Sequence, residues 1–194
     1  MGKIKEPLPV KLIASMIYQN GEILLRAKDK LTERLGNIDY ESRAIPFDFT
    51  TYYEEEMGKN LKRQFISFEP LIQMEELPQI KIFTNQLEKD LLLLDREKRT
   101  INIDPGYLAP EKLVLATTKN FAHRPYLGNR IYAELTYLFR SGSFQTLEWT
   151  YPDYKSSQSV NMFNEIRNRY VKQLKESEKD IETGKNTNKK EDIS

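Results

Sequence analysis

The pattern of apolar and polar residues predicts alternating strands and helices over the first half of the chain. Lys11–Tyr18 is an almost unbroken apolar run, which is typical of a buried strand. Glu22–Leu35 then places apolar residues at three-to-four spacing, which predicts a helix that ends at Gly36. Asn37–Phe49 is expected to be extended, with an edge or a bulge at Pro46 because proline cannot donate to a sheet ladder.

The next elements complete a familiar order. Thr50–Met57 is expected to be a short helix capped by Thr50 or Thr51. Leu61–Leu71 alternates as a strand does, and Glu75–Leu94 carries Leu, Ile and Phe on one helical face. Arg99–Ile103 is expected to be a short strand that ends in an Asp104-Pro105-Gly106 turn. Apart from the short helix, the order is β-α-β-β-α-β, so the sequence predicts an α+β fold with a ferredoxin-like core.

The rest of the chain is expected to extend this core. Pro110–Thr118 fits a helix with proline at its first position, or alternatively a strand. Pro125–Leu127 and Arg130–Arg140 predict a C-terminal β-hairpin about Gly128-Asn129. Ser156–Glu176 has the apolar spacing of a terminal helix. We therefore expect one α+β domain over residues 1–176 and a disordered, charged tail over 177–194.

Composition excludes several classes of function. The 30 Lys and Arg residues nearly balance the 29 Asp and Glu residues, so the net charge of +1 gives no reason to expect a nucleic-acid or membrane partner. The chain has no cysteine, which rules out disulfides, zinc–thiolate sites and cysteine nucleophiles. The N-terminus lacks the apolar core of a signal peptide, and no apolar run is longer than that of Leu91–Leu94. We expect a cytoplasmic protein, and the sequence does not predict its oligomeric state.

Seven blocks of sequence form a distinctive set. They are Pro46-Phe-Asp-Phe-Thr-x-Tyr-Tyr53, Leu61-Lys-Arg-x-Phe65, Lys81-x-Phe-Thr-Asn85, Asn102-x-Asp-Pro-Gly-Tyr-Leu108, Lys112-Leu-Val-Leu-Ala-Thr-Thr-Lys119, His123-Arg124 and Trp149-Thr-Tyr-Pro-Asp-Tyr154. Together they resemble the prokaryotic domain-of-unknown-function family 4416. The resemblance spans about Val10 to Val171 and leaves out the Lys-rich tail. It implies a domain of this family but no reaction, so a candidate site has to come from the residues themselves.

Candidate chemistry concentrates between Thr100 and Tyr154, where the only His and the only Trp of the chain lie. Thr118, Lys119 and Arg124 supply the hydroxyl, ammonium and guanidinium donors that a phosphate or a carboxylate binds. The sequence therefore predicts an anion site in this loop. The alternative is a solvated basic loop, and a helix ending before Lys119 would oppose an anion through its dipole.

Three residues are candidates for proton transfer. His123 is the one side chain of the sequence with an ordinary pKa near neutrality, and Asp104 or Glu134 would orient it. With Asp48, the two acids also offer the oxygen ligands of a Mg²⁺ site, although the three come from distant segments. The alternatives are a hydrogen-bonded structural histidine, turn chemistry at Asp104, and caps or ion pairs at the other acids. No cofactor is therefore assigned, and Mg²⁺ is left open.

Aromatic residues complete the candidate site. Trp149 and Tyr151 could cover a base or sugar ring, and Tyr132 stands two residues before Glu134 on the same predicted strand. The alternative for the Trp149–Tyr154 segment is an aromatic clasp that packs a loop onto the core.

Missing motifs narrow the function further. The sequence contains no P-loop, no Gly-x-Gly-x-x-Gly after a strand, no Gly-x-Ser-x-Gly elbow and no pair of histidines. The leading hypothesis is binding, with processing left open, of a small phosphorylated or nucleotide-like metabolite through the Lys119–Arg124 loop. The alternative is a non-enzymatic protein-interaction or scaffold domain, so enzymatic activity is left undecided.

Overall fold

A computed structural model describes residues 2–50, 52–93 and 99–188. The strands in these ranges are β1 (Val10–Tyr18), β2 (Ile38–Glu41), β3 (Ile45–Pro46), β4 (Lys62–Ile72), β5 (Ile101–Ala109), β6 (Lys112–Thr117), β7 (Tyr126–Gly128), β8 (Ile131–Arg140) and β9 (Ser143–Thr146). The helices are α1 (Gly21–Leu35), α2 (Glu54–Met57), α3 (Leu77–Leu93) and α4 (Ser157–Asn188), with a 3₁₀ turn at Met74–Glu76 before α3.

All these strands form one antiparallel sheet. The order is β2-β4-β1-β5-β6-β8-β7, with β3 paired to β4 and β9 paired to β8. The predicted mixed α+β class is therefore confirmed. The sheet is larger than a four-stranded core, because β6, β8 and β7 continue it beyond β5 and β9 adds to β8.

Strand β1 is buried along its whole length because both faces of the sheet are covered. Leu12 and Met16 pack in the core that α1 and α3 share, whereas Ile13 packs in a second core with α4. A strand covered on both faces has no reason to alternate apolar with polar residues, which explains the continuous apolar run. Helix α1 begins where the Asn20 side chain accepts a hydrogen bond from the Glu22 amide at 2.8 Å, and it ends at Gly36, whose φ is 95°.

The structure corrects one prediction about the strands and decides one open alternative. The predicted turn at Asp104-Pro105-Gly106 was wrong, because β5 continues through these residues to Ala109. Pro105 is tolerated there because β6 pairs with β5 only from Gly106 onward. Pro105 therefore has no pairing partner on the β6 side of the strand. For Pro110–Thr118 the sequence left a helix and a strand open. The strand is what forms, as β6 between β5 and β8.

Other boundaries differ in detail. The short helix covers only Glu54–Met57, and the Thr50 hydroxyl accepts from the Tyr52 amide at 3.1 Å instead of capping the helix. The hairpin forms about Gly128 and Asn129, both with positive φ. Strand β9 was not predicted, and it follows a tight turn at Ser141 and Gly142, also with positive φ.

The two long helices are described only as far as Leu93 and Asn188. Thr51 and Leu94 lie outside the described residues, and α3 is described to Leu93. Helix α4 continues past the predicted domain limit at Glu176 to Asn188, and residues 189–194 are not described. The disordered tail stays a prediction. None of the helices in the described ranges is long and apolar enough to cross a membrane.

Candidate functional site

A cavity of about 430 Å³ lies on the same face of the sheet as α4, at an end where no α4 residue lines it. We call it the aromatic cavity because six aromatic side chains line it. They are Phe47, Phe49, Tyr52, Tyr53, Tyr151 and Tyr154. Its volume lies in the range of roughly 300–1,000 Å³ that is typical of small-molecule sites.

The first aromatic wall comes from the segment between β3 and β4. Phe47 and Tyr53 meet edge to face with ring centroids 5.8 Å apart, and both pack on a small core that includes Ile17 and Leu61. Gly58 and Asn60 take positive φ values of 85° and 58°, which turn the chain back into β4. This segment therefore lies over the sheet and leaves a space beneath it.

The second aromatic wall is the loop before α4, and hydrogen bonds fasten it to β8. Trp149 donates through Nε1 to the carbonyl of Leu135 at 2.8 Å, and the Thr150 hydroxyl donates to the carbonyl of Thr136 at 2.7 Å. The Tyr137 hydroxyl donates to the carbonyl of Tyr154. These contacts give the loop the clasp geometry that the sequence offered as an alternative, while its Tyr151 and Tyr154 rings still line the cavity.

Asp104 stands on β5 at the cavity wall, and both of its oxygens are engaged. Lys81 of α3 lies 2.9 Å from Oδ1, and Asn102 donates to Oδ2 at 2.6 Å. Burial alone would raise the pKa of Asp104, but the Lys81 ammonium and these two hydrogen bonds outweigh it and lower the pKa below its ordinary value. Asp104 is therefore a carboxylate held in its charged form.

Glu134 stands on β8 at another part of the cavity wall, and both of its oxygens are also engaged within the protein. Its Oε1 lies 2.9 Å from His123 Nε2, and its Oε2 accepts from Arg124 Nε. The His123 ring stacks on Trp149 with centroids 4.6 Å apart and planes 15° apart. His123 therefore lies behind Glu134, between the carboxylate and the indole.

Arg124 and Lys119 are the two cations of the predicted site. Arg124 donates to the Tyr151 hydroxyl and to the carbonyl of Lys119, each at 3.0 Å. Lys119 lies on the cavity wall itself, with Nζ 3.1 Å from the Tyr52 hydroxyl and 4.6 Å from the centre of that ring. Because β6 precedes this loop, no helix C-terminus opposes an anion at Lys119.

Arg63 and Asp153 form a buried ion pair on the inner wall that the sequence analysis did not identify. Arg63 is 6% exposed and Asp153 is 4% exposed. Burial raises the pKa of Asp153, and the Arg63 charge opposes that rise. The guanidinium also lies 4.6 Å from the centre of the Phe47 ring and 5.3 Å from that of Tyr154.

The structure brings together only part of the predicted site. Asp104, Lys119, Glu134 and Tyr151 line the aromatic cavity. The remaining predicted residues do not line it, and they are Asp48, Thr118, His123, Arg124, Tyr132 and Trp149. Asp48 is exposed, and Tyr132 contacts Tyr126 on the hairpin. Among the described residues, no group of three or more His, Asp or Glu side chains is placed to hold a metal ion.

One signal for a missed residue was present in the sequence. Arg63 has the same strand parity as Leu61 and Phe65, so an arginine had to lie on a face that is otherwise apolar. Phe47 and Tyr53 gave no comparable signal, because aromatic residues before a short helix fit a core or a cavity equally well.

The fold and the cavity together define an α+β domain with one large antiparallel sheet and a ligand-sized aromatic cavity at one end. The chain belongs to the family described as Domain of unknown function (DUF4416), whose model matches residues 8–170. The resemblance seen in the sequence blocks is thereby confirmed. Neither a curated protein nor a solved structure shows a significant match to the chain.

Proposed function

We propose that the aromatic cavity binds a small metabolite that joins a flat ring to an anionic group, as a nucleotide does. The observation that carries the proposal is Lys119, a cation on an aromatic wall with no carboxylate partner among the described residues. Its ammonium meets the Tyr52 hydroxyl and ring instead.

The charges of the cavity support an anion at Lys119. Each of the three carboxylates on the wall already meets a cation: Asp104 meets Lys81, Glu134 meets Arg124, and Asp153 meets Arg63. A ligand cation would therefore find no unpaired acid there. A ligand anion would find Lys119, whose flexible stem presents a point charge to a phosphate or a carboxylate.

The aromatic lining supports a ring in the rest of the ligand. Rings favour offset-stacked or edge-to-face partners, and stacking of a nucleobase on an aromatic side chain contributes about 1–3 kcal/mol. Tyr52 places a ring face beside the Lys119 ammonium, so one ligand can contact both.

The geometry favours binding over catalysis. The groups predicted for proton transfer are each engaged within the protein: Asp104 with Lys81 and Asn102, and Glu134 with His123 and Arg124. A general acid or base needs hydrogen-bond reach to its substrate, and His123 does not line the cavity.

We also infer that the first part of the fold is a ferredoxin-like unit that supports the cavity. The antiparallel order β2-β4-β1-β5 and the packing of α1 and α3 in one core support this inference. The second half of the sheet then supplies Lys119 and Glu134 to the cavity wall.

Thermal shift and calorimetry with nucleoside 5′-monophosphates and the matching nucleosides test the proposed function. We expect monophosphates to stabilise the protein and nucleosides to bind at least about tenfold more weakly, because they lack the anion. Lys119→Ala should remove that difference. Lys175→Ala, an exposed lysine on α4, is the matched control and should change nothing. The proposal fails if no monophosphate binds at millimolar concentration.

A protein-interaction role is the second candidate, favoured by exposed aromatic side chains around the cavity. Phe49 is 47% exposed, Tyr52 60% and Phe121 64%. Exposed apolar surface of this kind often marks an interface. Capture of one stoichiometric partner that survives Lys119→Ala but is lost in Phe121→Ala would favour this role over ligand binding.

A further inference from the structure

The inner wall of the aromatic cavity holds a buried arginine whose N–H groups are only partly paired. Arg63 lines the cavity, is 6% exposed and has a buried Nε with no hydrogen-bond partner. A guanidinium carries five N–H donors and no acceptor. Among the described residues its polar partner is the Asp153 carboxylate, which meets Nη1 as an ion pair without hydrogen-bond geometry at Oδ2.

The Arg63 guanidinium is poorly paired for a buried group, so an acceptor supplied from outside the chain would stabilise it. A buried donor without a partner loses about 1–3 kcal/mol of solvation that nothing returns. The rings of Phe47, Phe65 and Tyr154 surround the guanidinium at 4.6, 5.7 and 5.3 Å and offer no strong acceptor in its plane. The guanidinium lines the cavity, so an acceptor bound there can reach its accessible N–H groups, whereas Nε itself is enclosed by the protein.

The charge of the acceptor follows from Asp153. Because that carboxylate already balances Arg63, an additional anion at the inner wall would leave a net negative charge in a buried site that also contains Asp104. Burying an uncompensated charge is strongly unfavourable. A neutral carbonyl oxygen accepts the hydrogen bond without that cost, whereas the anionic group of the ligand is matched by Lys119 on the more exposed wall.

We propose that Arg63 selects an oxo-substituted purine ring, so that the cavity prefers 6-oxopurine nucleotides over their 6-amino counterparts. This inference rests on the proposed function, because it assigns the ring end of the ligand that Lys119 holds by its anion. An arginine fork matches adjacent carbonyl and ring-nitrogen acceptors, as it does on guanine, and it faces a donor when an amino group replaces the oxygen. Because Arg63 can only donate hydrogen bonds, it distinguishes a ring oxygen from an amino group at the same position.

A matched ligand pair tests the inference on the intact protein. Inosine and adenosine 5′-monophosphates differ at the six-position of the purine by oxygen against an amino group, and both keep the N7 acceptor beside that position. We expect calorimetry to show the oxo member of the pair binding at least about tenfold more tightly. Equal affinities, or preference for the amino member, would overturn the inference.

The variant Arg63→Lys assigns the preference to the guanidinium. Lysine keeps a positive charge beside Asp153 but has no fork, so the preference should fall to about twofold or less while binding through Lys119 continues. Arg26→Lys, on the exposed face of α1, is the control and should keep the wild-type preference.

The outcomes separate the two proposals. Binding of all monophosphates with equal affinity, weakened by Lys119→Ala, would leave the proposed function standing and remove the role of Arg63. A preference that survives Arg63→Lys would also remove it. Absence of binding by every monophosphate would overturn both proposals.

Discussion

The ammonium of Lys81 lies 2.9 Å from Oδ1 of Asp104, so a lysine of α3 neutralises a carboxylate on the wall of the aromatic cavity. Lys81 is buried and also donates to the carbonyl of Ile103 at 3.0 Å. The pair therefore joins α3, β5 and the cavity through one side chain. Asp104, which the sequence offered as a catalytic or metal-binding residue, is in this geometry the ion-pair partner that connects the cavity wall to α3.

Lys81→Met should destabilise the protein at neutral pH because Asp104 would keep its charge with only Asn102 as a partner. Breaking a buried pair from one side costs about 3–5 kcal/mol, and the partial exposure of Asp104 places the expected loss at about 2–4 kcal/mol. Urea unfolding at pH 7 measures it. Lys89→Met, at an exposed position of the same helix, should stay within about 0.5 kcal/mol of the wild type.

The same pair predicts a pH dependence. The pKa of Asp104 is lowered in the folded protein, so its stabilising contribution is complete above the unfolded-state pKa of about 3.9 and is lost as the pH falls through the lower folded-state value. The difference between wild type and Lys81→Met should therefore shrink below about pH 4. A difference that is unchanged at pH 3 would contradict this account.

Local patterns predicted the elements of the fold better than their pairing. The run in β1 and the helical spacing in α1 and α3 are set by burial of the residues themselves, so they could be predicted from the sequence. Pro105 and β6 could not, because their conformation depends on where a neighbouring strand begins to pair, and that neighbour is chosen by the whole sheet.

The candidate site shows the same limit. Lys119 and Glu134 were recognised as polar residues in an aromatic region, and both line the cavity. His123 was expected at the centre of the chemistry but lies behind Glu134, since an ion pair can take up the only histidine as easily as a substrate can. Which side chain faces the cavity depends on such ion pairs, and the order of residues along the chain does not reveal them.

Gly106→Ala should weaken the contact between β5 and β6. A Cβ at this position would lie 2.5 Å from the carbonyl oxygen of Val114 and 2.8 Å from Cδ2 of Leu115, so the strands must separate to admit it. Overpacking of this kind costs about 1–3 kcal/mol. Urea unfolding measures the loss. Gly21→Ala, where a Cβ meets nothing within 4 Å, is the control and should be neutral or slightly stabilising.

Glu134→Gln should loosen the support behind the cavity. The amide has one acceptor oxygen, which Arg124 Nε requires, so its NH₂ group would face His123 and bond only to a ring whose Nε2 accepts. We expect a loss of about 2–3 kcal/mol, because Arg124 loses its carboxylate partner and both side chains are mostly buried. Trp149 is the only tryptophan, and it stacks on His123, so its fluorescence should change in this variant. Glu148→Gln, at an exposed position, should leave that emission as in the wild type.

Tyr137→Phe isolates the hydrogen bond that holds the second aromatic wall. The buried Tyr137 hydroxyl donates to the carbonyl of Tyr154, and without it that carbonyl loses its side-chain partner. The expected loss is about 1–2 kcal/mol in urea unfolding, since the ring and its packing against Phe144 and Phe163 are kept. Tyr132→Phe is the control, because no hydrogen bond involves the Tyr132 hydroxyl among the described residues.

Because Tyr154 lines the cavity, Tyr137→Phe should also weaken nucleotide binding, whereas Tyr132→Phe should not. Equal loss of affinity in the two variants would show that the ligand contacts the hairpin instead of the cavity.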